Sequence, residues 1–434
     1  MNLITLIYNG IFIPLGLIIL KVLSIFIPKI KEREEEWENS LSSLDNLDNR
    51  KGPRLWVHSA SMGEFEQVKP VIEKIKETNP NIIVICSFYS PSGYNTQKKY
   101  SYADAIIYLP FDTRSRVKRV IEKINPNTVI FVRYDIWRNV LQELSFRKIP
   151  IYLICATKPK NILIDILFFL KAFTKSNYNF FNEIYTVGES HTEYFKNLNI
   201  KAGITTLSDT RFDRIIQNVE IAGQNPVLPP YIFQNEFILV IGSSWQPDED
   251  IIFDAVRRIE SSSHFTIRMI IVPHEPTVEH LKRVGNILDN CITLSMILKL
   301  LSENNSSEKI MQITNNKNIL VDSIGKLLRL YVHADAAYIG GGFGAGVHSV
   351  TEPAGYGIPL ATGPKIESSP DAIKLKEIGA LTVVKDTNDL YNWLYEVLID
   401  KDKRFSMGTI SKKYVYDSKG SSAIIALKIL ESLS

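Results

Sequence analysis

The sequence has little cysteine and almost no net charge. Three cysteines, Cys86, Cys155 and Cys291, stand far apart in 434 residues. Each lies in or beside an apolar run, which argues against a disulfide framework or a cysteine zinc site and favours a reducing compartment. The seven histidines are scattered without metal-ligand spacing, so no zinc centre and no Ser/His/Asp arrangement can be assembled from them. A formal net charge of +3 leaves no basic field, and nucleic acid is not an expected partner. Apolar residues at 45% and charged residues at 22% instead fit a globular protein with sizeable cores. The length calls for two large domains or more.

One long apolar run stands out, "LITLIYNGIFIPLGLIILKVLSIFIPK" from Leu3 onward. It is about the length needed to cross a bilayer. Asn9, Pro14 and Lys21 interrupt it. It lacks the basic start and small-residue cleavage site of a signal peptide. A membrane anchor over residues 1–30 is expected, spanning or dipping, with a buried core helix as the alternative. Lys29, Lys31 and Arg33 favour a cytoplasmic position for the rest of the chain.

After residue 53, apolar strand-like runs alternate with helical patterns. "RLWVHS", "NIIVICSF", "AIIYLP", "NTVIFV", "PIYLICA" and "EIYTVG" read as strands. Phe65, Val68, Val71, Ile72 and Ile75 fall on one face of a helix that Asn79-Pro80 ends. "ILIDILFFLKAF" reads as a buried helix or a lipid-facing surface. The pattern relaxes around Pro226, Pro229 and Pro230. It resumes with "FILVIGSS", "IRMIIVP", "NILVDS", "DAAYIGG", "IPLATGP" and "ALTVV". "LSENNSSEKIMQITNNKN" reads as a surface loop or insertion. Continuous apolar strands with crossover helices imply parallel sheets covered on both faces. The expected fold class is α/β, with two Rossmann-like domains about a cleft. Residues 31–220 form the first, 221–236 a linker and 237–419 the second, and 420–434 a helix packing back across the hinge.

In such sheets ligands bind beyond the carboxyl ends of the strands, so the loops there carry the functional reading. In "HSASMGEFEQVKP", Ser61 and Glu64 have capping-box spacing. Gly63 would also keep the turn bare for a substrate to reach Glu64. "FVRYDIWRN" places Asp135 after another strand, where Glu64 and Asp135 would serve as base and second acid. Arg133 and Arg138 would either attract an anionic acceptor or form surface ion pairs. In "YIGGGFGAGVHSVTEPAGYGIPLATGP", Gly340, Gly341, Gly342, Gly344 and Gly346 leave backbone N–H groups to cradle a phosphate ahead of a helix starting near Ser349. Glu352, one turn into that helix, suits a ribose diol or simply the helix dipole. In "VIGSSWQPDED", Gly242, Ser243 and Ser244 would donate to a phosphate or to the transferred group. Asp248, Glu249 and Asp250 look like a metal cluster but more often open a helix. His274 in "IIVPHEP" would contact phosphate or satisfy its loop, and in "LSDTRFDRI" Asp209, Arg211, Asp213 and Arg214 read as a structural ion-pair hinge, with contact to the donor as the alternative.

Together these segments, with "YLPFDT", resemble the 3-deoxy-D-manno-octulosonic acid (Kdo) transferases of lipopolysaccharide assembly, over nearly the whole chain. The resemblance implies a GT-B fold, a CMP-Kdo donor, a lipid A precursor as acceptor and the cytoplasmic face of the inner membrane. It implies inverting transfer without a metal or other cofactor. Glu64 falls on the family's catalytic glutamate, Ser59 and Ser61 would shape its pocket, and His348, Glu352 and the glycines match the CMP-binding region. Three positions depart from common patterns in the family: His274-Glu275 where many members have Arg-His, Ser349 where the best-known form has Asn, and Asp135 where many have Glu. The rival readings are another GT-B sugar transferase or epimerase, and a membrane-tethered nucleotide-sugar binding protein without catalysis.

Overall fold

The computed structural model describes residues 3–47, 49–159, 168–233, 236–288, 290–303 and 307–433. They divide into two compact units: unit 1, Met1–Arg214 with Ser418–Ser434, and unit 2, Ile215–Asp417.

Unit 1 holds β1 (Arg54–Ser59), β2 (Ile83–Phe88), β3 (Ala105–Tyr108), β4 (Thr128–Val132), β5 (Ile151–Ala156), β6 (Glu183–Val187) and β7 (Gly203–Leu207). They form one sheet in the order β3-β2-β1-β4-β5-β6-β7, and every pairing is parallel. Side chains alternate across a strand, so Leu55 and Val57 enter one core while Trp56 enters the other. Burial on both faces is why these strands are continuously apolar. The helix Met62–Thr78 covers one face, with Phe65, Val68, Val71, Ile72 and Ile75 all fully buried. The helix Ser421–Leu433 adds Ile425, Ala426 and Ile429 to that same core.

Unit 2 repeats the plan with β8 (Phe237–Ser244), β9 (Ile267–Pro273), β10 (Cys291–Thr293), β11 (Asn318–Leu320), β12 (Ala336–Ile339), β13 (Leu360–Thr362) and β14 (Leu381–Val383). The order is β10-β11-β9-β8-β12-β13-β14, again parallel throughout. In each sheet the strand order reverses direction beside its first strand, between β1 and β4 and between β8 and β12. Such a switch point opens a crevice at the carboxyl ends, where ligands bind.

Two sequence readings need amending. β7 and β10 were not anticipated: both are edge strands, β7 only partly buried and β10 three residues long, so neither carries the continuous apolar signal. The polar stretch read as a loop contains the helix Ser307–Asn315, which Ile313 anchors by full burial. Of the run "ILIDILFFLKAF", residues 162–167 lie outside the described residues, and its end belongs to the helix Phe168–Tyr178.

The N-terminal run is one helical segment, Leu3–Phe26, of 24 residues and mean hydropathy 2.3, long and apolar enough to cross a membrane. Only 11% of its apolar window is buried, whereas a core helix is mostly buried.

Candidate active site

The first cluster lies at the unit 1 switch point. β1 ends in Ser59, and the chain turns at Ala60 into a helix capped by Ser61, whose Oγ accepts from the Glu64 N–H at 3.5 Å. Glu64 closes the box: its Oε2 accepts from Ala60 N at 2.7 Å and Ser61 N at 3.2 Å. Oε1 accepts no hydrogen bond among the described residues. Burial raises the Glu64 carboxyl above its ordinary range, and the nearby Asp135 charge raises it further, against the lowering effect of the Ala60 and Ser61 N–H groups. Gly63 is exposed, and a Cβ there would meet nothing within 4 Å. The protein's own packing therefore does not require glycine at this position. Ser59 is fully buried, and its Oγ has no partner among the described residues.

Asp135 follows β4, the strand paired with β1. Its Oδ2 lies 2.8 Å from His58 Nε2, and His58 Nδ1 lies 2.8 Å from Ser87 Oγ. Ser87 Oγ also accepts from the Trp56 indole N–H at 2.8 Å. Indole only donates, so the Ser87 hydroxyl hydrogen is available for His58 Nδ1, and Nε2–H is left to donate to Asp135. His58 was not singled out in the sequence, although it heads the quoted motif; its partners come from other strands.

The two arginines separate. Arg133 adopts φ 62°, uncommon for a side chain of its size. Its Nε donates to Gln67 at 2.7 Å, and it pairs with the buried Asp209 at 3.3 Å. Arg138 is fully buried and bonded to Thr5 and Asn177, so neither an acceptor nor a surface ion pair accounts for it. The hinge acid Asp209 also accepts from Gln67 and from Arg211 N. Cys155 (φ 52°) and Ser243 (φ 53°) repeat the left-handed backbone at the ends of β5 and β8. Such outliers concentrate at functional sites because ligand geometry takes precedence there over local comfort.

The second cluster lies at the unit 2 switch point. Gly340 N donates to Gly242 O at 2.8 Å, and a Cβ on Gly340 would fall 2.2 Å from Ser243 O. Gly341, at φ 92°, faces Gly346 O and His348, and a Cβ on Gly342 would overlap the Gly363 backbone. Only Gly344 has room for a side chain, its nearest neighbour being Gly341 O at 3.6 Å. Asp248 is fully buried and accepts from Gly341 N (2.9 Å), Trp245 N (3.1 Å) and Tyr338 OH (3.1 Å). It thus ties the glycine loop to the helix Gln246–Ser262. Glu249, also buried, accepts from Ser244 Oγ at 2.7 Å and meets His280 and Arg283. These two carboxylates are engaged in holding loops, and Ser244 is engaged with Glu249.

Three separate motifs meet beside that loop. His274 stacks on His348 with ring centroids 4.2 Å apart, and Trp245 lies 4.9 Å from His274. The Trp245 indole donates to His348 Nε2 at 3.2 Å. Burial, then the neighbouring His274, lowers the His348 pKa, the direction that favours an acceptor nitrogen. Trp245 was overlooked in the sequence; an aromatic directly after a strand that ends in Ser-Ser was the available signal. Ser349 is exposed and, among the described residues, bonds only Thr351, at 3.4 Å. Glu352 is half-buried with no hydrogen bond or ion pair among the described residues, and its carboxyl is raised by burial.

Comparison with known proteins adds to this geometry. The family model of 3-deoxy-D-manno-octulosonic-acid transferase (kdotransferase) matches residues 32–214. The 3-deoxy-D-manno-octulosonic acid transferase of Haemophilus influenzae is 22% identical over 94% of this chain and 93% of its own length. That of Aquifex aeolicus is 28% identical over 82% and 88%. A bifunctional glycosyltransferase/methyltransferase of Fusobacterium nucleatum is 25% identical over 77% of this chain, which spans only 51% of that relative. Among solved structures, UDP-GlcNAc 2-epimerase from Neisseria meningitidis matches with a TM-score of 0.57 and 13% identity, over 87% of this chain and 100% of that one. At that identity the likeness establishes the GT-B-type fold alone.

Proposed function

Since this chain belongs to the Kdo transferase family and is a glycosyltransferase, we propose that it moves Kdo from CMP-Kdo to a lipid A precursor, inverting the anomeric carbon, with Glu64 as general base. The observation that carries the base assignment is the division of labour on one carboxylate. Oε2 holds the helix start through Ala60 N and Ser61 N, while Oε1 is left for a substrate proton. A cap and a catalytic base are therefore compatible in the same residue. In the proposed step the acceptor hydroxyl oxygen forms a bond to the anomeric carbon as its proton passes to Glu64. The bond from that carbon to the CMP phosphate oxygen breaks, and CMP leaves with the electron pair. A raised carboxyl pKa suits this task, because a stronger base takes the proton more readily.

Asp135, held by His58, keeps a second negative charge near Glu64. Ser61, Gly63 and Arg133 would border the acceptor, and Ser59, being fully buried, would not touch it. In unit 2 the Gly342 N–H and Ser243 would face the phosphate, because Gly341 N is held by Asp248, Gly344 N by Gly341 O and the Ser244 hydroxyl by Glu249. His274 and His348 would flank it, and Ser349 and Glu352 would lie toward the ribose. Backbone dipoles there would neutralise the departing phosphate. The exposed apolar helix supports membrane association and a lipid-borne acceptor, and the site would lie at the cytoplasmic face of the inner membrane.

The test is transfer from CMP-Kdo, generated in situ, to a tetraacylated lipid A precursor, read by mass spectrometry beside UDP- and GDP-sugar donors. A product heavier by whole Kdo units from CMP-Kdo alone is expected. Turnover only with another donor would refute the assignment, and so would CMP-Kdo binding without product.

The acidic limb of the rate profile should follow Glu64, which must be ionised to accept a proton. Asp135→Asn removes a neighbouring negative charge that raises the Glu64 pKa. The limb should therefore move to lower pH in that variant. An unmoved or upward-shifted limb in the pH–rate profile would show that Asp135 does not act on the base.

A further inference from the structure

The first half of the apolar helix is tied to unit 1, and the helix that follows it returns the chain to that unit. In its first turns Thr5 Oγ1 accepts from Arg138 Nη2 at 3.1 Å and Gln142 Nε2 at 2.6 Å. The Tyr8 hydroxyl donates to Asp112 Oδ2 at 2.8 Å. Asn9 and Asn139 exchange amide hydrogen bonds at 3.0 and 2.8 Å. Thr5, Tyr8 and Asn9 have the i, i+3, i+4 spacing of one helical face. Further along, Gly16 lies so close to Phe111 that a Cβ would fall 2.6 Å from its ring. Beyond Phe26, the helix Pro28–Ser40 returns the chain to the same unit. Arg33 lies over the Tyr89 ring at 4.0 Å, Trp37 is buried, and Ser40 Oγ accepts from Tyr108 N at 3.0 Å.

Away from this seam the surface is apolar and bare: Leu3, Ile11, Ile18 and Ile25 are 72%, 59%, 63% and 75% exposed. A segment of 24 residues is about 36 Å long as a helix, against a hydrocarbon core of about 30 Å. Spanning would put its two ends at opposite faces of the bilayer. Its first turn could then remain bonded to Asp112, Arg138 and Asn139 only if folded parts of unit 1 entered the hydrocarbon, where buried polar groups and charges are costly.

We propose that the helix lies in the plane of a single leaflet, its Thr5–Tyr8–Asn9–Gly16 face sealed on unit 1 and its opposite face in lipid acyl chains. The proposal rests on the membrane association put forward above and specifies its geometry. The seam also gives Asn9 a role that a simple spanning helix does not: it is a docking group. Lys21, exposed on the same helix, reaches the headgroups by extending its stem.

Spin-label depth measurement tests this. The full chain carries Cys291→Ser, with Cys86 and Cys155 left buried. Single cysteines at Leu3, Ile11, Ile18 and Ile25 are labelled with a nitroxide, and the protein is added to phosphatidylethanolamine/phosphatidylglycerol vesicles. Collision with oxygen and with a polar nickel complex gives each depth. All four labels are expected at one shallow depth, roughly 5–10 Å below the headgroup boundary. Depths that pass through the midplane, with Leu3 and Ile25 near opposite faces, would overturn in-plane insertion and leave membrane association standing. Failure to bind vesicles would overturn both, while sugar transfer would still be decided by the acceptor assay. In-plane insertion without any Kdo transfer would refute the function and leave this geometry intact.

Discussion

Glu64→Gln is expected to fold as the wild type does and to lose transfer by about 10²–10⁴-fold, the usual contribution of a positioned general base. Gln keeps the carbonyl oxygen that accepts from Ala60 N and Ser61 N, so the capping box survives. It cannot take a proton at neutral pH. The substitution therefore separates the two roles of this side chain. Its melting temperature should stay within a few degrees of wild type, because a lost cap costs only about 1 kcal/mol and this one is retained. A folded Glu64→Gln enzyme with full turnover would assign the base elsewhere, with Asp135 the nearest candidate. Comparable loss of stability and activity would instead mark Glu64 as a cap alone.

The second large effect concerns the glycine loop, where the glycines should divide into two classes. Gly340→Ala would drive a Cβ to 2.2 Å from Ser243 O and 2.7 Å from Ser244 Cα. Gly342→Ala would place one 2.5 Å from Gly363 N. All of these neighbours are backbone and cannot rotate away, so β8, β12 or the segment after β13 must shift. Overpacking of this kind costs about 3 kcal/mol, a fall of roughly 6–12 °C in the melting of a unit this size. Gly344→Ala meets nothing closer than 3.6 Å and should melt within about 0.5 kcal/mol of wild type. If a donor phosphate lies on this loop, Gly344→Ala should raise the donor KM while leaving stability alone. Three variants that melt alike would show that close backbone approach is not what selects glycine at 340 and 342.

The same contrast, between what neighbours in the chain dictate and what distant segments impose, separates the legible features from the others. Most strands were legible because burial on both faces makes them continuous apolar runs, as in "NIIVICSF" for β2 and "FILVIGSS" for β8. Their order was not in that signal, since an apolar strand pairs equally well with any neighbour. The side chains of the site obeyed the same rule. Glu64, Asp135, the glycines, His274 and His348 could be placed at strand ends from local pattern. Their partners could not, because they arrive from other strands and loops: Ser87 for His58, Trp245 for His348, Asp248 for Gly341 N. Arg138 shows the limit most clearly. In the sequence it is a cation in a loop beyond a strand, yet its partner Thr5 lies 133 positions away in the apolar helix.

By itself, then, the sequence determined the α/β class, the apolar N-terminal helix, the capping box at Ser61 and Glu64, and the loops where chemistry would lie. These depend on residues within a few positions of one another, where periodicity and spacing act directly. Only the tertiary structure decided which strands became edges, and that Asp248 and Glu249 hold loops together. It also decided that Oε1 of Glu64 accepts no hydrogen bond among the described residues, and that a polar seam ties the apolar helix to unit 1. Those outcomes depend on contacts between distant segments, whose energies exist only after the chain has closed on itself.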